Sequence, residues 1–476
     1  MKNFAESSSY KWCVLFVVQC ALFLLGIDST IVNIALPTMR HELQIDINVA
    51  QWIISIFLVA MAITFPIAGK IADIYGRKVV FVVGLLVLAA SSFFCAISSS
   101  LEFLIINRIF QGFGCAACLA NCMAIVSTIF RAGRHGLALG INNSVQAMGM
   151  GIGVLLGGYL IDYFGWRSIF FVNAGFALIF AIVASIILIE KKISIHTVKS
   201  FSLDYAGIFL FVLSVSALML GIIFFLNPID IQWLSWILVL LGSGLLLLLL
   251  FVEMRISSPL LNLKIFKIRE FLHGSVIKWI NGVISNSMMF TIPFFMTEAL
   301  HLSPIMTGWV ILPIVFGLLI FGPFAGHFAD KIGGNVITLS GFLISAVSFV
   351  FLIGFNTMAQ EWLFLKLSSI LFVYGISLGA IMSGNNNSIF KVIPQSEKAA
   401  SSGILITITN FGGALGVAIC SQMMHSKALP GQRLSSAVDQ VKTNIFYFLL
   451  LLALLGALFC LFGLKKRFIK NGMDLK

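Results

Sequence analysis

From residue 12 onward, long apolar runs alternate with short polar breaks, and the length of the runs sets the elements. They lie at about 12–37, 50–70, 79–99, 102–127, 137–161, 167–189, 204–226, 234–253, 271–297, 304–327, 336–355, 362–388, 400–422 and 443–464. Each approximates the ~20 residues with which a helix crosses ~30 Å of hydrocarbon. Polar and apolar positions do not alternate inside them, which excludes barrel strands. Backbone groups in lipid must bond within their own segment, so the fourteen runs are predicted to be transmembrane helices. The polar leader Met1–Lys11 precedes a run too long for a signal-peptide core and without a small-residue cleavage site, so the first helix is expected to be retained.

Composition supports that pattern. Of 476 residues, 60% are hydrophobic and only 10% charged, with 45 Phe, and no soluble domain is expected between the runs. The net charge of +12 would suit a nucleic-acid partner were it clustered on one soluble face. Instead it alternates between connections. Lys70, Arg77 and Lys78, then Arg131 and Arg134, then Lys191, Lys192 and Lys199, then Arg255, Lys264, Lys267 and Arg269, then Lys331, then Lys391 and Lys398, and finally Lys465, Lys466 and Arg467 fall on one side. That side is predicted to be cytoplasmic and to carry both termini, and no nucleic-acid partner is expected. The eight cysteines all fall inside predicted helices, so no disulfide framework is implied. Cys115, Cys118 and Cys122 share a helix face. No flanking His completes a metal shell, and close helix packing is the preferred reading.

Two connections carry one pattern, G-x-x-A-D-x-x-G: Gly69, Asp73 and Gly76 followed by Arg77 and Lys78, and Gly326, Asp330 and Gly333. They fall in the same topological place if two six-helix halves flank a two-helix insert, and Glu102 and Arg108 have rough counterparts in Glu361 and Lys366. The chain therefore reads as a tandem duplication: an N-terminal half 1–190, a linker with two inserted helices 191–270, and a C-terminal half 271–476. Repeated halves around a midplane site are a signature of secondary transporters. Asp73 is expected to accept from a helix N-terminus or to pair with Arg77, Arg131 or Arg134, holding one side shut in one state. The insert, apolar throughout, is expected to lie beside the halves facing lipid.

These motifs resemble those of the major facilitator superfamily, in particular its fourteen-helix drug:proton antiporter branch. GKIADIYGRK resembles the family's loop motif, and IINRIFQGFGCA its fourth-helix motif, with Arg108, Gln111 and Gly112 in the matching places. IDSTIVNIALP resembles the first-helix motif of the branch, and GWRSIFFVN, FSLDYAG and KVIPQSEKAASSGILITITNFGGALGVA fit it too. The resemblance implies an all-α polytopic membrane protein with the major facilitator fold, placed in a bacterial cytoplasmic (inner) membrane. It also implies exchange of small molecules for protons, with the proton gradient as energy source and no cofactor. Branch members in two-membrane bacteria work with a periplasmic adaptor and an outer-membrane channel. The connection 423–442 is the one outer loop long enough for such contact, with a simple polar loop as the plainer reading. Membrane lipid is the remaining partner, and a monomer is expected.

Asp28 is the one carboxylate placed deep in the membrane, where an ionisable group marks function by default. It can hold a proton or meet a cation, but not both comfortably, and that competition is the simplest chemistry of antiport. The resemblance implies a proton-coupling role for Asp28 and for Arg108, which needs a partner such as Gln111, Asn33 or Asp28 itself. The plainer alternatives are an Asp28 bonded to its own Ser29 and Thr30, and an Arg108 that snorkels outward. In the fifth helix Gly149, Gly153, Gly157 and Gly158 match the family's antiporter motif except that Val154 replaces its proline, losing a kink while leaving the glycines to pack and slide against the second half.

Lys278 departs from the family pattern. If it faces the cavity it repels cations and favours an anionic or zwitterionic solute; if it snorkels it means little. His273, one turn earlier, would add to the same field. Asn33, Asn142, Gln146, Asn281 and Asn386 are the remaining candidates for the substrate cavity, and abundant Phe and Met suit a pocket that accepts several apolar ligands. Three readings stay open: export of drug-like amphipaths, export of one endogenous metabolite such as a siderophore or amphipathic anion, and a non-transporting membrane sensor. No nucleotide loop, metal cluster or nucleophile with a base is present in the sequence, so an enzyme is not expected.

Overall fold

The structure, a computed structural model, describes residues 8–129, 135–190, 204–226, 232–256, 260, 263–355, 362–394, 397–425 and 434–473. Among them there is no strand. There are fourteen long helices: α1 (Ser8–Leu43), α2 (Trp52–Tyr75), α3 (Arg77–Ala96), α4 (Leu101–Ile129), α5 (His135–Phe164), α6 (Arg167–Ile187), α7 (Tyr205–Leu226), α8 (Gln232–Glu253), α9 (Arg269–Phe294), α10 (Pro304–Ile332), α11 (Gly334–Ile353), α12 (Leu363–Phe390), α13 (Lys398–His425) and α14 (Leu434–Met473). Thirteen are long and apolar enough to cross a membrane. The remaining one, α9, is diluted by Arg269, Glu270, His273, Lys278, Asn281 and Asn286.

The expectation that the first span closes near Pro37 is corrected, because Pro37 lies inside α1 and the helix continues to Leu43. A proline's lost bond is tolerable where neighbouring helices shield the backbone. The outer connection 423–442 is shorter than read, with α13 reaching His425 and α14 starting at Leu434; its residues 426–433 lie outside the described residues, as do Arg131, Arg134 and Glu361.

The packing repeats itself. In the first half α3 lies against α4 and α6, α2 against α4, and α1 against α5; in the second, α11 lies against α12 and α14, α10 against α12, and α9 against α13. The halves meet along two seams, α5 on α10 and α2 on α13. Helices α7 and α8 pair with each other, and α7 rests on α13 and α2, covering one seam. There Phe224 lies 5.2 Å from the Trp52 ring, while Trp233, Trp236, Leu240 and Leu247 of α8 are exposed.

With fourteen successive spans, the start of α1 and the end of α14 fall on the same face of the bundle. Several hydrogen bonds and ion pairs that join described residues of the two halves sit midway or at the far face, where α1 ends and α10 begins. Arg40 Nη1 pairs with Glu298 Oε1 at 2.7 Å and His41 Nε2 meets the same oxygen at 2.9 Å. Asp162 Oδ2 accepts from the Ile305 amide at 3.0 Å, and Ser421 Oγ donates to the Ile47 carbonyl at 3.1 Å. The deepest crossing is Thr407 Oγ1 to the Ala62 carbonyl, 2.8 Å.

Candidate functional site: a buried carboxylate network and an unpaired lysine

Asp28 is 2% exposed and turns into the first half, away from the seam. Along α1 the positions Ser29, Asn33, Leu36 and Arg40 recur at i, i+4, i+7 and i+11, and Arg40 fixes that stripe as the one facing the second half. Asp28 sits about a third of a turn off it, toward α4 and α6. Its Oδ1 accepts from Gln111 Nε2 at 3.0 Å and from Asn173 Nδ2 at 2.5 Å, and Cys115 Sγ lies 3.6 Å from Oδ2. Gln111 is wholly buried and in turn accepts from Arg108 Nη1 at 2.6 Å and donates to Ser92 Oγ at 3.0 Å. Arg108, 2% exposed, donates through Nε to the Ile53 carbonyl at 2.9 Å and lies over the Phe57 ring at 4.2 Å.

The network is chemically ordered. Arginine only donates and a carboxylate only accepts, so the Gln111 amide has one orientation that serves both. Arg108 and Asp28 are thus joined through Gln111 rather than in direct contact. Asn33, by contrast, bonds back to the Ser29 carbonyl of its own helix at 3.0 Å. Gly112 makes room for α2: a Cβ there would meet the Phe57 carbonyl oxygen at 2.8 Å. Spacing in the sequence does not reveal Asn173 and Cys115 as partners of Asp28 or Ser92 as a partner of Gln111, though Asn173 is a lone amide in an apolar run, the signal that intramembrane polar residues give.

The two loop motifs share one backbone geometry. Gly76 has φ 101° and ψ 142°, and Gly333 has φ 100° and ψ 138°, a region that disfavours any residue with a Cβ. Around them the contacts differ. Asp73 pairs with Arg77 at 3.7 Å, and Arg77 Nη1 donates to the Ala124 carbonyl at 2.9 Å and to Thr128 Oγ1 at 2.5 Å. Glu190 accepts the Arg77 and Lys78 amides, both at 2.9 Å, and so caps α3 where the helix dipole favours an anion. Asp330 accepts from Asn387 Nδ2 at 2.6 Å and pairs with Lys391 at 3.3 Å. A Cβ on Gly69 or Gly326 would meet nothing within 4 Å, so neither glycine marks a close helix approach.

The fifth-helix glycines do not act as one face toward the second half. Gly149 and Gly153 are held against Phe23, Gly26, Ile27 and Thr30 of α1, and Gly157 against Ile31; of these four motif glycines Gly158 alone approaches α10, where a Cβ would meet the Pro304 carbonyl oxygen at 2.6 Å, and Gly151 between them lies against Val315 of the same helix. Successive positions at i, i+4 and i+8 keep to one helix face, and that face belongs to α1. Val154 is fully buried in an unbroken α5, and its carbonyl faces Gly308, where a Cβ would lie 2.8 Å away.

In the second half Lys278 is half-buried, about 14 Å along α9 from Arg269 at 1.5 Å per residue. On α9 it lies between Gly274, packed on Asn385 and Ile389 of α12, and Gly282, packed on Thr409 of α13. That sector is flanked by α12 and α13 rather than lying on the outer surface of α9. Half-buried Ser285 and Met289 continue it. His273 does not share this field: its Nε2 meets the Phe459 carbonyl at 3.0 Å and its ring stacks on Phe459 of α14 at 4.6 Å. Asn281 is 5% exposed with an unpaired Oδ1. Asn142 is turned into the first half, accepting from Gln19 Nε2 and lying 3.4 Å from Met123 Sδ. Gln146 and Asn386 are half-buried. The candidate residues therefore include a closed first-half network around Asp28 and a second-half stripe on α9 around Lys278, with Asn33, Asn142, Gln146 and Asn386 outside both. Among the described residues no group of His, Cys, Asp and Glu is arranged to hold a metal ion.

The family pattern described as Major Facilitator Superfamily matches residues 19–417 and again 274–472. The chain belongs to the Major Facilitator Superfamily. It is a fourteen-helix integral membrane transporter, not an enzyme, and its relatives include multidrug and antibiotic exporters. The riboflavin transporter RibZ of Clostridioides difficile is 29% identical over 90% of this chain and 91% of its own length. The multidrug transporter protein MdtP of Bacillus subtilis is 25% identical over 90% of this chain and 78% of its own. The tetracenomycin C resistance and export protein of Streptomyces glaucescens is 26% identical over 87% and 76%. Among solved structures, tetrameric PepTSo2 superposes with a TM-score of 0.69 at 15% identity over 96% of this chain and 99% of that one, a likeness of fold.

Proposed function

We propose that this facilitator exports amphipathic compounds from the cytoplasm in exchange for protons by alternating access, with Asp28 as the proton-carrying group. The buried Asp28–Gln111–Arg108 network is the observation that supports it. Oδ1 already receives two strong donors, so an incoming proton goes to Oδ2, where Cys115 is the single weak neighbour. Protonation weakens the charge-assisted bonds from Gln111 and Asn173, loosening α1 from α4 and α6. Because α1 also carries Arg40 of the far-face pair, a change in how α1 is held reaches the contact that keeps the halves together there. Proton and conformation are then linked through one helix.

The distribution of basic residues supports cytoplasmic termini, and with that orientation the far-face pairing suits an inward-facing state of a cytoplasmic-membrane protein. The multidrug and tetracenomycin relatives support amphipathic drugs as solutes; the riboflavin relative supports a single metabolite as the second reading. The test is collapse of an imposed pH gradient in everted vesicles on adding candidate solutes. Wild-type protein is expected to release protons, and Asp28→Asn to abolish the response while the protein stays folded. Solute-driven proton movement that persists in Asp28→Asn would remove Asp28 from the coupling.

A further inference from the structure

Resting on the reading of the chain as a transporter of amphipathic compounds, we infer that the α9 stripe around Lys278 is a recognition site for the negatively charged group of an organic anion. Among the described residues Lys278 is the one charged side chain well inside the bundle without a hydrogen bond or ion pair. A half-buried ammonium has shed part of its hydration and here has no counter-charge, and an anionic ligand supplies the missing partner. The first half does not supply it. Both Asp28 oxygens face α4 and α6, Oδ1 is taken by Gln111 and Asn173, and the side chains on the α1 stripe toward the second half are the neutral Ser29, which is exposed, and Asn33, which is half-buried.

Two acceptors flank the lysine. Asn281, three residues on, has an unpaired Oδ1 at 5% exposure. Asn385, 2% exposed, spends its Nδ2 on the Gly274 carbonyl at 2.9 Å and leaves its Oδ1 unpaired. Unpaired buried oxygens are uncommon enough to require a reason, and a ligand with an N–H or O–H beside its anionic group provides one. Half-buried Trp279 and Met289 on the same helix offer apolar surface for the rest of such a molecule. A permanently cationic amphipath meets the lysine without compensation and is disfavoured.

Fluorescein and rhodamine 6G share a xanthene ring and carry opposite charge, which makes them matched probes. Binding is followed by fluorescence anisotropy on the full chain in lipid nanodiscs with no pH gradient, so that the result does not depend on proton coupling. Fluorescein is expected to bind more tightly than rhodamine 6G. Lys278→Gln should weaken fluorescein roughly tenfold or more, the scale of a lost charge-assisted contact. Lys278→Arg, which keeps the charge and is the control for folding, should hold fluorescein within about threefold of wild type. Lys278→Gln should also improve rhodamine 6G. Equal fluorescein binding by wild type and Lys278→Gln, equal losses in Lys278→Gln and Lys278→Arg, or failure of the wild type to bind fluorescein would each overturn the assignment. Failure of Asp28→Asn to alter proton release would instead overturn the coupling and leave this site standing.

Discussion

The two halves keep one scaffold and fill its centre with different chemistry. Gly69 to Gly326 and Gly84 to Gly341 set a shift of 257 positions across α2, α3 and their counterparts. Gly112 on the Phe57 carbonyl and Gly375 on the Ile314 carbonyl set a shift of 263 for α4 and α12; Gly26 and Gly282, each on the partner helix of its half, set 256 for α1 and α9. With those shifts, Asp28, Ser92, Arg108 and Gln111 of the first half correspond to Ile284, Phe349, Leu371 and Tyr374 of the second, so the expected match of Arg108 with Lys366 is corrected: the close approach of Gly112 and Gly375 sets the register of the two helices five residues further on. Where Ser92 bonds Gln111, the Phe349 ring meets Tyr374 at 5.6 Å. Lys278 corresponds to Leu22, so the deep charges of the two halves occupy non-equivalent places. Duplication preserved the glycine contacts that let helices approach, and the side chains between them were free to diverge. One half holds a closed polar network around Asp28 and the other an unpaired lysine on α9.

The largest expected effect breaks this comparison at its centre. Gln111→Leu strands Arg108 Nη1 and removes a donor from Asp28, and loss of one partner in a buried charged network costs about 3–5 kcal/mol. The corresponding change in the second half, Tyr374→Phe, deletes a buried hydroxyl that has no partner and should be neutral or slightly stabilising. Thermal unfolding of both variants in the same detergent checks the asymmetry, and equal losses would contradict it.

A smaller effect separates the two loop motifs. Gly76→Ala and Gly333→Ala both force a Cβ onto a backbone with φ near 100°, at a cost of roughly 1–2 kcal/mol each. At Gly76 the new Cβ would also lie 2.6 Å from the Glu190 carboxylate, whereas Gly333 has nothing within 4 Å. Gly76→Ala is therefore expected to destabilise more and to disturb the α3 cap as well. Unfolding midpoints for the two variants, with Glu190→Gln as a reference for the cap alone, measure the difference.

Most of the architecture was legible because lipid leaves so few solutions: a run of about twenty apolar residues must be a helix, and its neighbours must be short connections. The motif repeat likewise located the pair of unusual glycine turns. What stayed hidden depends on rotation about helix axes. Asp28 was identifiable as a buried carboxylate, but that it turns from the seam toward Asn173 and Cys115 follows from where α6 and α4 pack, and no spacing in α1 reveals it. The same holds for the glycines of α5, whose period fits α1 and α10 equally well until the contacts are known, and for His273, which spacing places near Lys278 and packing places against Phe459. Lys278 shows the opposite case. Its position in the sequence posed the question, and Gly274 and Gly282 on either side of it, packed on α12 and α13, put it in the sector of α9 between those helices.

The claim on which the account turns is that Asp28 takes up a proton within a closed network in the first half. Infrared difference spectroscopy of the reconstituted protein between acidic and alkaline buffer reads this directly through the C=O stretch of a protonated carboxyl. The account predicts a carboxylic-acid band in the wild type that is missing in Asp28→Asn, and that shifts in Asn173→Leu as one donor to Oδ1 is lost. A difference band unchanged in Asp28→Asn would contradict it, and the proton site would have to be sought elsewhere in the bundle.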